Sequence, residues 1–136
     1  MMKKLITVIL ILALAAPALA LAESTLSSNE QNFLGAWIMY ANGSSGKQYV
    51  IVTTFLDNLE VVQRSMTFTN GILTSDNKAT GEWSGFTDQT IIFTLAGKGM
   101  TAMIKDDGYL YMYFFDNLSL CGIFLRCEDM AEKLGW

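Results

Sequence analysis

Histidine is absent from all 136 residues. That removes the side chain most used as general base and metal ligand near neutral pH. Neither a Ser-His-Asp nor a Cys-His arrangement can be assembled within the chain. Proline is almost absent too. The only one is Pro17, so every later turn must rest on Gly, Asn or Asp. Charge is sparse and tilts acidic, with 9 basic against 13 acidic side chains and no basic run. Such a chain is repelled by phosphate backbones and anionic surfaces, which argues against a nucleic-acid partner.

Cysteine is nearly as scarce, with Cys121 and Cys127 alone. They bracket Gly122 to Arg126, which reads as strand. Six strand steps cover roughly 20 Å, whereas a disulfide needs Cα atoms within about 7 Å. Unless the chain folds back at Gly122, the spacing predicts free thiols.

What is present begins with a leader. Met1-Met2-Lys3-Lys4 is positive, Leu5 to Leu14 is apolar, and Ala15-Ala16-Pro17 breaks the run. The small-x-small triplets Ala18-Leu19-Ala20 and Ala20-Leu21-Ala22 follow. Positive start, apolar middle and small-residue exit form an export signal. Residues 1–22 are therefore expected to be removed, with cleavage after Ala22 favoured over Ala20. The alternative is an uncleaved anchor, because Leu5 to Ala22 could nearly span a bilayer. Cleavage would leave residues 23–136 as one secreted or extracytoplasmic domain, with no membrane insertion. Losing Lys3 and Lys4 leaves 7 basic against 13 acidic side chains, a net charge of −6.

The rest of the chain is a series of short β-rich runs cut by turn residues. They are Gly35 to Ala41, Gln48 to Leu56, Glu60 to Thr69, Ile72 to Ser75, Ala79 to Ser84, Gln89 to Ala96, Met100 to Lys105, Tyr109 to Phe115 and Ser119 to Arg126. Asn70-Gly71 is the strongest hairpin signal, since both positions tolerate φ > 0. Helical character is confined to Ser28–Phe33 and Glu128–Leu134. Alternation sets the faces: Ile91, Phe93 and Leu95 against Thr90 and Thr94, and Leu110, Met112 and Phe114 against three tyrosines. Period two with one apolar face predicts a half-buried antiparallel sheet.

Three local patterns invite a chemical reading, and each has a structural explanation. Gly43-Ser44-Ser45-Gly46-Lys47 lacks phosphate-loop spacing and precedes a strand, so it reads as a turn. Asp106-Asp107 suits a hairpin, and Glu128-Asp129 suits the start of a helix, where the dipole favours acidic groups. No catalytic residue, metal ligand or cofactor is indicated, and the chain does not read as an enzyme.

Phe33-Leu34-Gly35-Ala36-Trp37 resembles the Gly-x-Trp signature with which lipocalins and related barrels open their first strand. The resemblance implies an all-β fold: a single antiparallel up-and-down barrel of about eight or nine strands, with short helices at the termini. It also implies that a turn of helix closes one barrel end. Trp37 would pack over that end beneath an arginine from the last strand, here Arg126, with Gly35 opening the strand.

Two functions follow as expectations. The first is a small apolar ligand held in the barrel lumen, lined by Met66, Phe68, Ile91, Phe93, Met100, Ile104, Leu110, Met112 and Phe114. The second is a protein-interaction or inhibitor domain with a filled core, using an outer stripe of Tyr109, Tyr111 and Tyr113, since tyrosines are favoured at interfaces. An interior void of roughly 300 Å³ or more would favour the ligand.

Overall fold

The computed structural model describes residues 26–129. The export leader and its cleavage points lie outside them, as does the part of the expected C-terminal helix beyond Asp129. The described chain opens with α1 (Ser28–Gln31), continues through β1 (Gly35–Asn42), β2 (Lys47–Phe55), β3 (Glu60–Thr69), β4 (Ile72–Gly85), β5 (Thr90–Leu95), β6 (Lys98–Ile104), β7 (Leu110–Phe114) and β8 (Leu120–Arg126), and is again helical at residues 127–129. Each strand pairs antiparallel with the next, and β8 returns to β1, which closes an eight-strand up-and-down barrel. Closure removes most of the free sheet edge that an open β-sheet exposes to aggregation.

Local chemistry explains the joints. Ser27 caps α1 by accepting from the Glu30 amide, and the Glu30 side chain accepts from the Ser27 amide, a capping box around a four-residue helix. Asn70 and Gly71 both have positive φ, 52° and 82°, as the tight β3–β4 turn requires. Asp107 accepts from the Tyr109 amide at 2.9 Å and from the Tyr111 hydroxyl at 2.6 Å, so the acidic pair 106–107 organises a hairpin.

One boundary differs from the sequence reading. The runs Ile72 to Ser75 and Ala79 to Ser84 are a single 14-residue strand, β4. Asp76-Asn77 does not turn the chain because β3 occupies both residues: Asp76 forms an ion pair with Arg64, and Asn77 stands opposite Ser65. The strands are also unequal. β4 pairs with β3 along all of β3, but with the six-residue β5 only through Trp83, Ser84 and Gly85. The sheet β1–β4 therefore extends past the closed barrel.

Buried side chains form two clusters. The first fills the interior and draws on every strand. The second lies on the outside of β1–β3 and β8, joining Ala36, Ile38, Val50, Val52, Met66, Phe68, Leu125 and Cys127. Register separates the two faces. Trp37 is aligned with Thr53 and Gln63 on the inner side, whereas Tyr40 is aligned with Val50 and Met66 on the outer side. Hence Met66 and Phe68, expected to line the lumen, face outward. The rule of one apolar face fails in β1 and β2, which carry buried apolar side chains on both sides.

Candidate functional site

One end of the barrel is closed by side chains around Gly35. Its φ of +103° lies where residues bearing a Cβ rarely go, and it lets the chain swing from α1 into β1. Trp37 is wholly buried beneath this bend, and its indole Nε1 donates to the Phe33 carbonyl at 3.0 Å. Arg126 pairs in register with Trp37, and its guanidinium carbon stands 4.2 Å from the ring centroid. The same guanidinium donates to the carbonyls of Asn32 and Leu34, tying the last strand to the loop after α1. Burial pulls the Arg126 pKa down, and the neighbouring Glu128 and Asp129 carboxylates oppose that shift. Among the described residues, its ring contact and its two hydrogen bonds all belong to the closure.

Glu30 adds a second fastening. Its carboxylate accepts from the Gly85 amide at 2.8 Å, and this bond, then that from the Ser27 amide, lowers its pKa. Asn29 donates to the Thr87 carbonyl at 2.9 Å. The four-residue helix is thus pinned at both β4 and the β4–β5 loop.

Inside, the centre is occupied by aromatic and aliphatic side chains. The ring centroid of Phe55 is 5.5 Å from that of Trp83 and 5.3 Å from that of Phe93, both edge to face. The Trp83 indole donates to the Leu56 carbonyl at 2.9 Å. Of the residues expected in the lumen, Ile91, Phe93, Met100, Leu110 and Met112 are buried in this interior cluster, and Ile104 and Phe114 pack against it half-buried. They meet one another in one interior cluster.

An exposed apolar surface lies on the outer wall of β5–β7. A cleft of about 320 Å³ lies there, lined by Phe86, Thr90, Thr101, Met103, Tyr113, Phe115 and Leu118 among others. Phe86 comes from the β4–β5 loop and Phe115 from the end of β7, yet their ring centroids are 6.0 Å apart. The two rings therefore reach toward each other over the sheet from opposite barrel ends. Thr101, on the floor, donates to the Ile91 carbonyl at 2.8 Å and so offers mainly its methyl group. Leu118 is 65% exposed and holds φ at +54°. A bulky residue with positive φ is a strained outlier. Here Leu118 donates to the Phe114 carbonyl at 2.9 Å, and Asn117 accepts from the Ser119 amide at 3.0 Å, which fixes the turn.

The tyrosine stripe is divided between these surfaces. Tyr113 borders the cleft, Tyr111 leans under Lys105 with the ammonium 4.2 Å from its ring centroid, and Tyr109 packs against the outer cluster of β1–β3. Sequence reasoning located Tyr113 but missed Phe86, Phe115 and Leu118, which stand in or beside loops. Two further clefts are known. One of about 560 Å³ lies between Leu59 and Phe93, and one of about 760 Å³ lies beside the closed end, with Asn29, Gln89, Lys105 and Asp106 on its walls.

The thiols Cys121 and Cys127 are free, the first exposed and the second buried. Burial, reinforced by Glu128, pushes the Cys127 pKa up to about 11, and burial also raises that of Cys121.

No family model, curated protein or solved structure matches this chain.

Proposed function

We propose that this chain is an exported, lipocalin-like barrel that acts as a protein-interaction module, taking an apolar side chain of a partner protein into the cleft on the outside of β5–β7. The observation that carries this reading is the cleft itself. It is about 320 Å³ in volume, bordered by the exposed rings of Phe86 and Phe115 and by Leu118. Large apolar residues gathered at one exposed place mark an interaction site more often than a solvated wall. Strain at Leu118 supports the same reading, because sparsely populated backbone conformations gather at functional sites. The acidic balance favours a neutral or basic partner, and the missing histidine makes a non-enzymatic role the simpler one.

A panel of short apolar peptides read by fluorescence anisotropy tests the proposal. Thr101→Arg, which fills the floor, and Leu118→Asp should each abolish the binding seen with the parent. Met112→Leu, an interior change of similar volume, should leave it intact. Peptide binding unaffected by Thr101→Arg would overturn the assignment.

A second reading is a small apolar ligand in the lumen. It is favoured by the convergence of Ile91, Phe93, Met100, Ile104, Leu110, Met112 and Phe114 on one interior cluster. The flexible Met100 and Met112 could repack around a guest. Under that reading Met112→Leu changes affinity for a medium-chain fatty acid, and Leu118→Asp does not.

A further inference from the structure

The longest strand in the barrel has an edge that its neighbour does not use. β4 runs for 14 residues, and β5 pairs only with its last three, Trp83 to Gly85. Contact between the two strands continues a little further back. The Glu82 amide donates to the Thr94 hydroxyl, and Gly81 lies so close to the Thr94 carbonyl that a Cβ has no room there. Before that point β5 has ended, and the β5–β6 turn at Ala96 and Gly97 carries the chain away. Every residue from Ile72 to Lys78 is exposed. On its other side the same stretch is held in register by β3, through pairs from Thr69↔Ile72 to Gln63↔Ala79. It is a pre-ordered extended strand, and among the described residues nothing pairs with its outer edge. Half of its backbone N–H and C=O groups point away from β3, which is the template that an added strand requires.

We propose that this edge pairs with the same edge of a second copy of the chain, antiparallel, about a two-fold axis at Asn77. Charge selects this occupant. With Asn77 opposite Asn77 of the partner subunit, Asp76 stands across from the partner's Lys78, and Lys78 across from the partner's Asp76. Opposite charges directly across an antiparallel pair are stabilising. Ser75 then faces the partner's Ala79, so small side chains line the other face of the seam. Lys78 also has an unmet need within its own chain. It is aligned with Arg64 across the β3–β4 ladder, a like-charged pair, while the Arg64 guanidinium is bound to Asp76. The partner's Asp76 carboxylate would lie on the side of Lys78 away from Arg64 and give Lys78 an opposite charge there. The arrangement is isologous: each copy offers the same patch and receives the same patch, so it closes at two subunits.

The rival explanation is that Asp76 and Lys78 are guards that keep strand edges apart. Cysteine placement and charge reversal separate the two explanations in the mature chain. In a Cys121→Ser background, Asn77→Cys places two thiols across the axis. Their Cα atoms would be about 4.5–5.5 Å apart, inside disulfide range. Ile72→Cys places them five residues either side of the axis, roughly 34 Å apart. Under mild oxidation the first should give a covalent dimer and the second should stay monomeric, although Ile72 is itself 68% exposed. Equal cross-linking at both positions would mean random collision and would overturn the proposal.

Sedimentation equilibrium supplies the other arm. The parent should show a concentration-dependent dimer, and Lys78→Glu should weaken it by on the order of tenfold, since two symmetry-related contacts turn repulsive. A parent that stays monomeric at every concentration, or tighter association of Lys78→Glu, would identify the charges as guards and overturn the pairing.

Discussion

At the scale of single residues, Trp37 and Arg126 carry unequal shares of the closure. Trp37 is fully buried and makes one hydrogen bond through its indole, so Trp37→Ala loses both packing and a polar contact. The expected cost is about 3–5 kcal/mol, read from urea denaturation. Arg126 is half-buried and joins the Trp37 ring to two backbone carbonyls. Arg126→Ala should cost less, about 1–3 kcal/mol. Arg126→Lys should restore little, because one ammonium cannot reach both carbonyls while lying flat on the ring. Glu30 carries a pH signature. Its folded-state pKa is lowered, so its contribution is complete above the ordinary glutamate range and fades as pH falls through the depressed value. A parent-minus-Glu30→Gln stability profile should therefore be flat at neutral pH and collapse in the acid range. Leu118 offers the opposite trade. Leu118→Gly relieves the positive φ, so thermal stability should not fall, while apolar peptide binding should drop.

At the scale of elements, much was legible in the sequence, and the exceptions have physical causes. The resemblance to lipocalins points to the pairing of Trp37 with Arg126, and closure, which makes the first and last strands neighbours, is what allows it. Seven of the eight strands are readable as single runs, helped by Asn70-Gly71, Asp107 and Gly108 at turns that need them, and β4 reads as two. Asp76-Asn77 misled because turn propensity is local and the Arg64 ion pair is not. Met66 and Phe68 misled for a related reason. A period-two pattern divides a strand into faces without saying which face is inside, and β3 puts Gln63, Ser65 and Thr67 on the inner side. The warning lay in β2, where Val50, Ile51 and Val52 run without alternation, the pattern of a strand covered on both faces. The outward placement has a measurable consequence. Met66→Ala or Phe68→Ala should lower stability by about 2–5 kcal/mol, as deletion of a well-packed side chain does. Both should leave apolar peptide binding unchanged. The thiols differ in the same way: a thiol reagent at neutral pH should modify Cys121 in the folded protein and reach Cys127 only on unfolding, since Cys127 is buried and its pKa is about 11.

At the scale of the whole molecule, the barrel is closed at one end by Trp37, holds Phe55 in ring contact with Trp83 and Phe93 inside, and presents an apolar cleft on an outer wall. The methionines report on both places. Met103 lines the cleft, while Met100 and Met112 are buried in the interior. Methyl NMR of protein labelled at the methionine methyl carbons, titrated with an apolar peptide and separately with a medium-chain fatty acid, tests the central claim most directly. The expected result is that the Met103 methyl shifts on adding peptide, while Met100 and Met112 stay fixed with either ligand. Shifts at Met100 and Met112 with Met103 unmoved would put the ligand in the lumen and contradict the outer-wall reading.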